Sequence, residues 1–181
     1  MPEQSETHLV WMDMEMTGLD PKTCVILEIA TLITDKDLNL VAQGPALAVH
    51  QPDQVLEAMD DWNKKQLGES GLTPALKASK TGLAEAEKQT VDFIAAHCKP
   101  KSSPLCGNTI YQDRRFLLEY MPVLDAYLHY RLVDVSTIKE LVKRWYGPEF
   151  QAPPKKQKHK ALDDILETIE ELKFYRKTVF K

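Results

Sequence analysis

The chain has 181 residues, 43% of them hydrophobic and 28% charged, and a formal net charge of −4. That length and balance fit one globular domain with a full core, spanning residues 1–181 with its centre at about 8–176. They exclude a low-complexity chain and a membrane span, since no apolar run approaches the ~20 residues that a spanning helix needs. Nor does an acidic chain suit a long basic track for nucleic acid. It favours a small substrate, or one whose phosphates are met by metal ions. Three cysteines, Cys24, Cys98 and Cys106, form no CxxC pair. They point to a reducing compartment and to packing, rather than to a disulfide frame or a zinc site. The first eight residues are polar and of mixed charge, without the pattern of a secretory signal.

Residues 9–16 read as the first strand. Within this apolar run stand two acids, Asp13 and Glu15. Side chains alternate along a strand, so the two share a face with Leu9 and Trp11, about 7 Å apart, while Val10, Met12, Met14 and Met16 fill the other. A strand apolar on both faces belongs in the middle of a sheet. Two negative charges at its end are costly unless compensated, and a divalent metal is the usual compensation. Two acids that merely face water where the strand leaves the core satisfy the same pattern.

Gly18-Leu19-Asp20-Pro21 is a turn. Residues 25–33 form a long β-rich run closed by a turn at Asp35-Lys36-Asp37, and residues 40–49 form a third strand, so the chain begins with an antiparallel meander. Helical patterns follow at 57–67 and 83–98, the second with Val91, Ile94 and Ala95 on one stripe. Residues 104–108 are a short buried strand, and 113–121 a helix with Phe116, Leu117 and Tyr120 at helical spacing. A strand at 132–135 leads to Ser136 or Thr137, either of which is expected to cap a helix through Trp145. A loop rich in proline and lysine spans 147–158, and a last helix covers about 160–175. The order β-β-β-α-α-β-α-β-α-α predicts an α/β sandwich with a mixed sheet.

Two further acidic signals lie in the second half. Gly107-Asn108-Thr109-Ile110-Tyr111-Gln112-Asp113 ends a strand and opens a helix, where Asp113 also has an ordinary role as an N-cap or first-turn acid. His159-Lys160-Ala161-Leu162-Asp163-Asp164 opens the last helix, whose expected apolar stripe is Leu162, Ile165, Leu166, Ile169 and Leu172. Asp163 falls with Glu167 and Glu170 on an expected solvated face. Asp164 falls beside Ala161 and Thr168, where a small residue one turn away leaves room for something to approach. His159, just before the helix, is by itself an unremarked surface residue.

Taken together, Asp-x-Glu, Asn-x4-Asp and His-x-Ala-x2-Asp resemble the DEDDh 3′-to-5′ exonucleases of the ribonuclease H-like fold. Nearly the whole chain is similar to the oligoribonuclease branch of that family. The similarity runs through Trp11-Met12-Asp13-Met14-Glu15-Met16-Thr17-Gly18-Leu19, Ile26-Leu27-Glu28-Ile29-Ala30-Thr31, Gln112-Asp113-Arg114-Arg115-Phe116-Leu117 and the stretch from His129 to Thr137. The resemblance implies a mixed five-stranded sheet, its first three strands antiparallel, flanked by helices. It also implies a hydrolase that degrades RNA fragments of a few nucleotides, especially 5′-phosphorylated dinucleotides, to nucleoside 5′-monophosphates in the cytoplasm or the mitochondrial matrix.

Asp13, Glu15, Asp113 and Asp164 would hold two divalent ions, Mg2+ or Mn2+, with His159 as general base. Leu19 would wedge between two bases and Trp62, in polar company, would stack on one. Thr109 and Ser136 would line the site, and Ser136 would donate to the 5′ phosphate. Tyr130 and Arg131 would close over that phosphate from the second subunit of a homodimer. Competing readings are another DEDDh exonuclease, trimming tRNA ends or proofreading DNA, and a catalytically dead scaffold. Three positions depart from the family's habit. Thr109 stands where serine is frequent, Tyr111 where glycine is frequent, and Gln66-Leu67 where a histidine often follows the tryptophan.

Overall fold

A computed structural model describes residues 4–154 and 160–180. The first strand, β1 (Leu9–Met16), pairs antiparallel with β2 (Ile26–Thr34), which pairs antiparallel with β3 (Leu40–Ala48). β4 (Pro104–Gly107) adds parallel to β1, and β5 (His129–Asp134) parallel to β4, giving the order β3-β2-β1-β4-β5. The expected mixed five-stranded sheet with an antiparallel opening meander is the one observed.

β1 is the centre of this sheet, and its alternation divides two cores. Val10, Met12 and Met14 face one core; Trp11 faces the other. On the first face pack α4 (Leu83–His97), α5 (Tyr111–Tyr120) and α6 (Pro122–Tyr127), through Ala86, Ile94, Phe116, Leu117 and Leu124. On the second pack α7 (Val135–Trp145) and α8 (Ala161–Thr178), through Val135, Val142, Ile165, Ile169 and Tyr175. Trp11 is fully buried there, and its indole N–H donates to Thr34 Oγ1 at 2.9 Å, which satisfies the ring's polar end inside the core. Cys98 and Cys106 are buried, and burial raises both thiols away from reactivity.

Several elements differ from the sequence expectation. The helix expected at 57–67 is two: α1 (Asp53–Glu57) ends, and Asp60 caps α2 (Asp61–Ser70) by accepting from Asn63 N at 2.7 Å. An acid that looked like part of a helical run is thus a helix start. Gly71, at φ 78°, turns α2 into α3 (Leu72–Ala78), where Leu72 and Leu76 join Leu67 and Leu27 in a small third core. α3 and α6 were not expected. The cap of α7 is neither Ser136 nor Thr137 but Asp134, which accepts from Ser136 N at 2.9 Å. On α8 the buried stripe is Ala161, Ile165, Thr168, Ile169 and Tyr175; Leu166, expected inside, is exposed. Asp163 and Glu167, expected in water, are half-buried, and Glu170 is exposed. A short 3-10 turn, Pro148–Phe150, interrupts the expected loop.

Candidate active site

The site lies at the carboxyl end of β1, where this open sheet changes from antiparallel to parallel neighbours, the usual place for ligands in such folds. One carboxylate oxygen from each of Asp13, Glu15 and Asp164 lies within 4.8 Å of the other two. β1 supplies the first pair on one face. The first turn of α8 supplies the third, where two acids suit the positive end of the helix. This helix start has no side-chain cap of its own at Lys160, and Glu28 of β2 serves it: Ala161 N donates to Glu28 Oε2 at 3.3 Å.

Asp113 stands apart from that trio, on the parallel side of β1. β4 stops at Gly107, so it cannot serve the backbone of β1 beyond Met12. Asp113, in the first turn of α5, takes over, accepting from Met14 N at 3.0 Å. It is only 5% exposed. Gly107 allows this close approach, since a Cβ there would lie 2.9 Å from Met12 O and 2.6 Å from Ile110 Cδ1. His159 lies outside the described residues.

The carboxylates disturb one another. Burial pushes Glu15 up to about 8, with Asp164, Glu28 and Asp113 adding repulsion. Burial likewise lifts Asp113 to about 7; the hydrogen bond from Met14 N opposes this and Asp134 adds to it. Glu28 is raised too, chiefly by burial, while the Ala161 N–H and Lys160 pull it down. Glu28 pairs with Glu15 across the β1–β2 ladder. Sequence reasoning gave it no role, although a lone acid inside the apolar run of a central strand was the available signal.

Around the acids, Leu19 is 72% exposed and Trp62 66% exposed. Asn63, beside Trp62, donates to Thr17 O at 3.3 Å, which ties α2 to the end of β1. Thr109 sits in the left-handed region at φ 56°. Its N–H donates to Asp134 Oδ1 at 2.9 Å and to Ser136 Oγ at 3.2 Å, and the Ser136 hydroxyl donates to Asp134 Oδ1 at 2.6 Å. Thr109 and Ser136 are therefore neighbours. Tyr130 and Arg131 lie elsewhere. They occupy the start of the edge strand β5, in the irregular step between the levels of Leu9 and Val10, which is three to four residue levels before Asp13, or about 10–13 Å along the sheet and two strands across it. Tyr130 is 72% exposed, stacked on His129 and covered on its other neighbour's side by the Arg131 guanidinium at 5.5 Å.

This geometry defines a class: acids on a central strand and on two helix starts, all with oxygen ligands, able to hold a divalent metal ion. The chain belongs to the exonuclease family, whose profile matches residues 10–172. Within that family it falls among the oligoribonucleases. It is 53% identical to the oligoribonuclease of Bordetella pertussis over 177 residues, covering 98% of each chain. Against that of Aromatoleum aromaticum it is 55% identical over 173 residues, covering 96% of this chain and 94% of the other. In shape it is similar to Escherichia coli exonuclease I in complex with a dA16 oligonucleotide, at a TM-score of 0.69 and 14% identity. That match covers 96% of this chain and 41% of the exonuclease I chain, so this chain spans well under half of it. The likeness to exonuclease I is one of fold. Among the described residues, no helix is long and apolar enough to cross a membrane.

Proposed function

We propose that the protein is a 3′-to-5′ exoribonuclease that hydrolyses very short oligoribonucleotides, above all 5′-phosphorylated dinucleotides, to nucleoside 5′-monophosphates. The observation that carries this reading is the cluster of Asp13, Glu15 and Asp164 at the end of β1, with an exposed leucine four residues beyond Glu15. Full-length likeness to oligoribonucleases supplies the substrate class.

The residues fit divalent cations. The donors are hard carboxylate oxygens, which favour Mg2+ or Mn2+ over zinc. Glu15, lifted to about 8, also marks a cluster that cannot keep its full charge near neutral pH by itself. Asp13, Glu15, Asp113 and Asp164 would hold two such ions. When bound, these supply an activated water and charge stabilisation at the leaving 3′ oxygen. His159 is the general base, as an imidazole ordinarily titrates near ~6.5 and suits taking a proton from water close to neutral pH. It stands two residues before Ala161, on the approach to the helix that carries Asp164.

Leu19 separates two bases, and Trp62 stacks on one, a contact worth about 1–3 kcal/mol. Thr109 and Ser136 line the site together. For Ser136 to donate to a 5′ phosphate, its proton leaves Asp134 Oδ1, where it now rests. Tyr130 and Arg131 serve the site of a second subunit in a homodimer, closing over the 5′ phosphate, a task suited to a guanidinium. Their place supports this: they lie about 10–13 Å along the sheet from Asp13 and two strands across it, away from their own chain's acids. The three free cysteines suit a reducing compartment such as the cytoplasm.

Cleavage of 5′-phosphorylated RNAs of two to ten nucleotides, with and without Mn2+, tests the reading. The dinucleotide is expected to be cut at least about tenfold faster than the 10-mer, the loss of one or two stacked and clamped contacts being worth that much. Equal rates at all lengths would sink the closed-site reading, and cleavage unaffected by EDTA would sink the metal assignment.

A further inference from the structure

The loop between β1 and β2 is held by its carbonyls. Tyr120 of α5 donates to Pro21 O at 2.9 Å and to Cys24 O at 2.8 Å. Leu19 O accepts from two side chains of one helical turn, Gln112 Nε2 and Arg115 Nη1, the latter at 3.2 Å. Arg115 Nη1 also donates to Gln112 Oε1 at 2.8 Å, which closes a triangle around that one carbonyl. Gln112 is 8% exposed and so is fixed in place by its surroundings. A carbonyl on a surface turn needs no such partners, because water would serve it.

Its own side chain makes the arrangement stranger. Leu19 stands largely in water and forgoes burial, while its backbone is pinned twice. A pinned backbone beneath a projecting apolar side chain is a rigid post. Between Gln112 and Arg115 in the sequence lies Asp113, whose carboxylate takes Met14 N of β1. One turn of α5 therefore fixes the acid and the post together.

We propose that Gln112 and Arg115 are positioning residues for substrate length. They hold Leu19 at a set reach from the carboxylates, so that a single base-to-base step lodges against it when the scissile phosphate is at Asp13 and Asp113. The proposal rests on the reading of Leu19 as the residue that separates two bases.

The test compares two substrates: a 5′-phosphorylated dinucleotide, and the p-nitrophenyl ester of a nucleoside 5′-monophosphate, which has no second base to meet Leu19. Gln112→Leu and Arg115→Met are expected to lower kcat/KM on the dinucleotide about 10–100-fold, the usual effect of a small misplacement of a positioning group. On the ester they are expected to change it by less than about threefold. Arg115→Lys, which keeps a donor, recovers part of the loss. In a Leu19→Ala background, Gln112→Leu adds less than about threefold, since the post it holds is gone and the two changes share one effect. Arg115 is exposed, so its variants keep the test alive should Gln112→Leu fail to fold. Equal losses on both substrates, no loss on the dinucleotide, or a full Gln112→Leu effect in the Leu19→Ala background would each overturn the proposal. A wild-type protein that cuts the dinucleotide no faster than a 10-mer would overturn the underlying reading of the site, and the proposal with it. Wild-type preference that persists in both variants would overturn the proposal alone.

Discussion

Glu15 is a carboxylate that the fold holds against its chemistry. Its strand leaves it half-buried beside Asp164, Glu28 and Asp113, and that burial with their repulsion moves its titration to about 8. Removing its charge should therefore help the empty fold and harm the reaction. Glu15→Gln keeps the shape and relieves the crowding. It is expected to raise the thermal midpoint of the metal-free protein, by about 2–4 °C for each kcal/mol gained. In Mn2+ it is expected to lose more activity than the roughly 10–100-fold that follows loss of an outer partner of a metal site. Calorimetry in EDTA beside an activity assay measures both, and a midpoint that falls would contradict the electrostatic account. Glu28 belongs to the same balance in another way. It takes the Ala161 N–H at the start of α8, so its acid orients the helix that presents Asp164.

At the scale of elements, the opening of α5 and the cap of α7 do most of the placing. Four successive side chains of α5 each have separate work. Gln112 and Arg115 hold Leu19 O, Asp113 holds Met14 N, and Arg114 pairs with Asp125 at 2.9 Å while donating to His129 O at 2.9 Å. Asp134, in turn, gathers Ser136 N, the Ser136 hydroxyl and Thr109 N on one oxygen. Asp134→Ala removes a helix cap and a loop anchor together. It is expected to cost about 1–2 kcal/mol of stability in urea unfolding. A loss under about 0.5 kcal/mol would mean that water replaces the cap without penalty. Strand alternation made β1 legible from sequence because Asp13 and Glu15 broke an apolar run at the period of the pleat. The meander followed from apolar runs between turn residues, and the mixed sheet from the order of helices and strands after it. What stayed hidden depended on partners far along the chain. Asp60 and Asp134 are caps only because the preceding residues turn away from the helix. Leu166 reads as apolar stripe until the packing of α8 on the sheet turns it outward. Gln112 and Arg115 carry no sign in the sequence that a carbonyl 93 and 96 residues earlier awaits them.

At the scale of the molecule, site and stability are linked through protons. Glu15 ordinarily titrates at 4.5 and here at about 8; Asp113 ordinarily at 3.8 and here at about 7. Between those values the folded, metal-free chain keeps protons that the unfolded chain has already lost. Its stability from these groups is therefore present at low pH and is lost as pH rises from about 4 through 8. On the proposed metal assignment a bound cation requires both acids ionised, so binding expels protons and its stabilisation grows with pH. In EDTA the thermal midpoint is expected to be lower at pH 8 than at pH 5.5, and saturating Mn2+ is expected to reverse that order. Titration calorimetry at pH 6.5 in buffers of different ionisation enthalpy should register proton release on binding. A metal-free midpoint that rises steadily with pH would refute the link. The acids also come from distant parts of the chain, β1 and α5 on one hand and α8 on the other. A chain emerging from the ribosome carries Asp13, Glu15 and Asp113 before Asp164, because α8 is made after β1 and α5. On the proposed reading of these acids, the growing polypeptide is thus an unarmed nuclease until α8 has docked against β1 and β2.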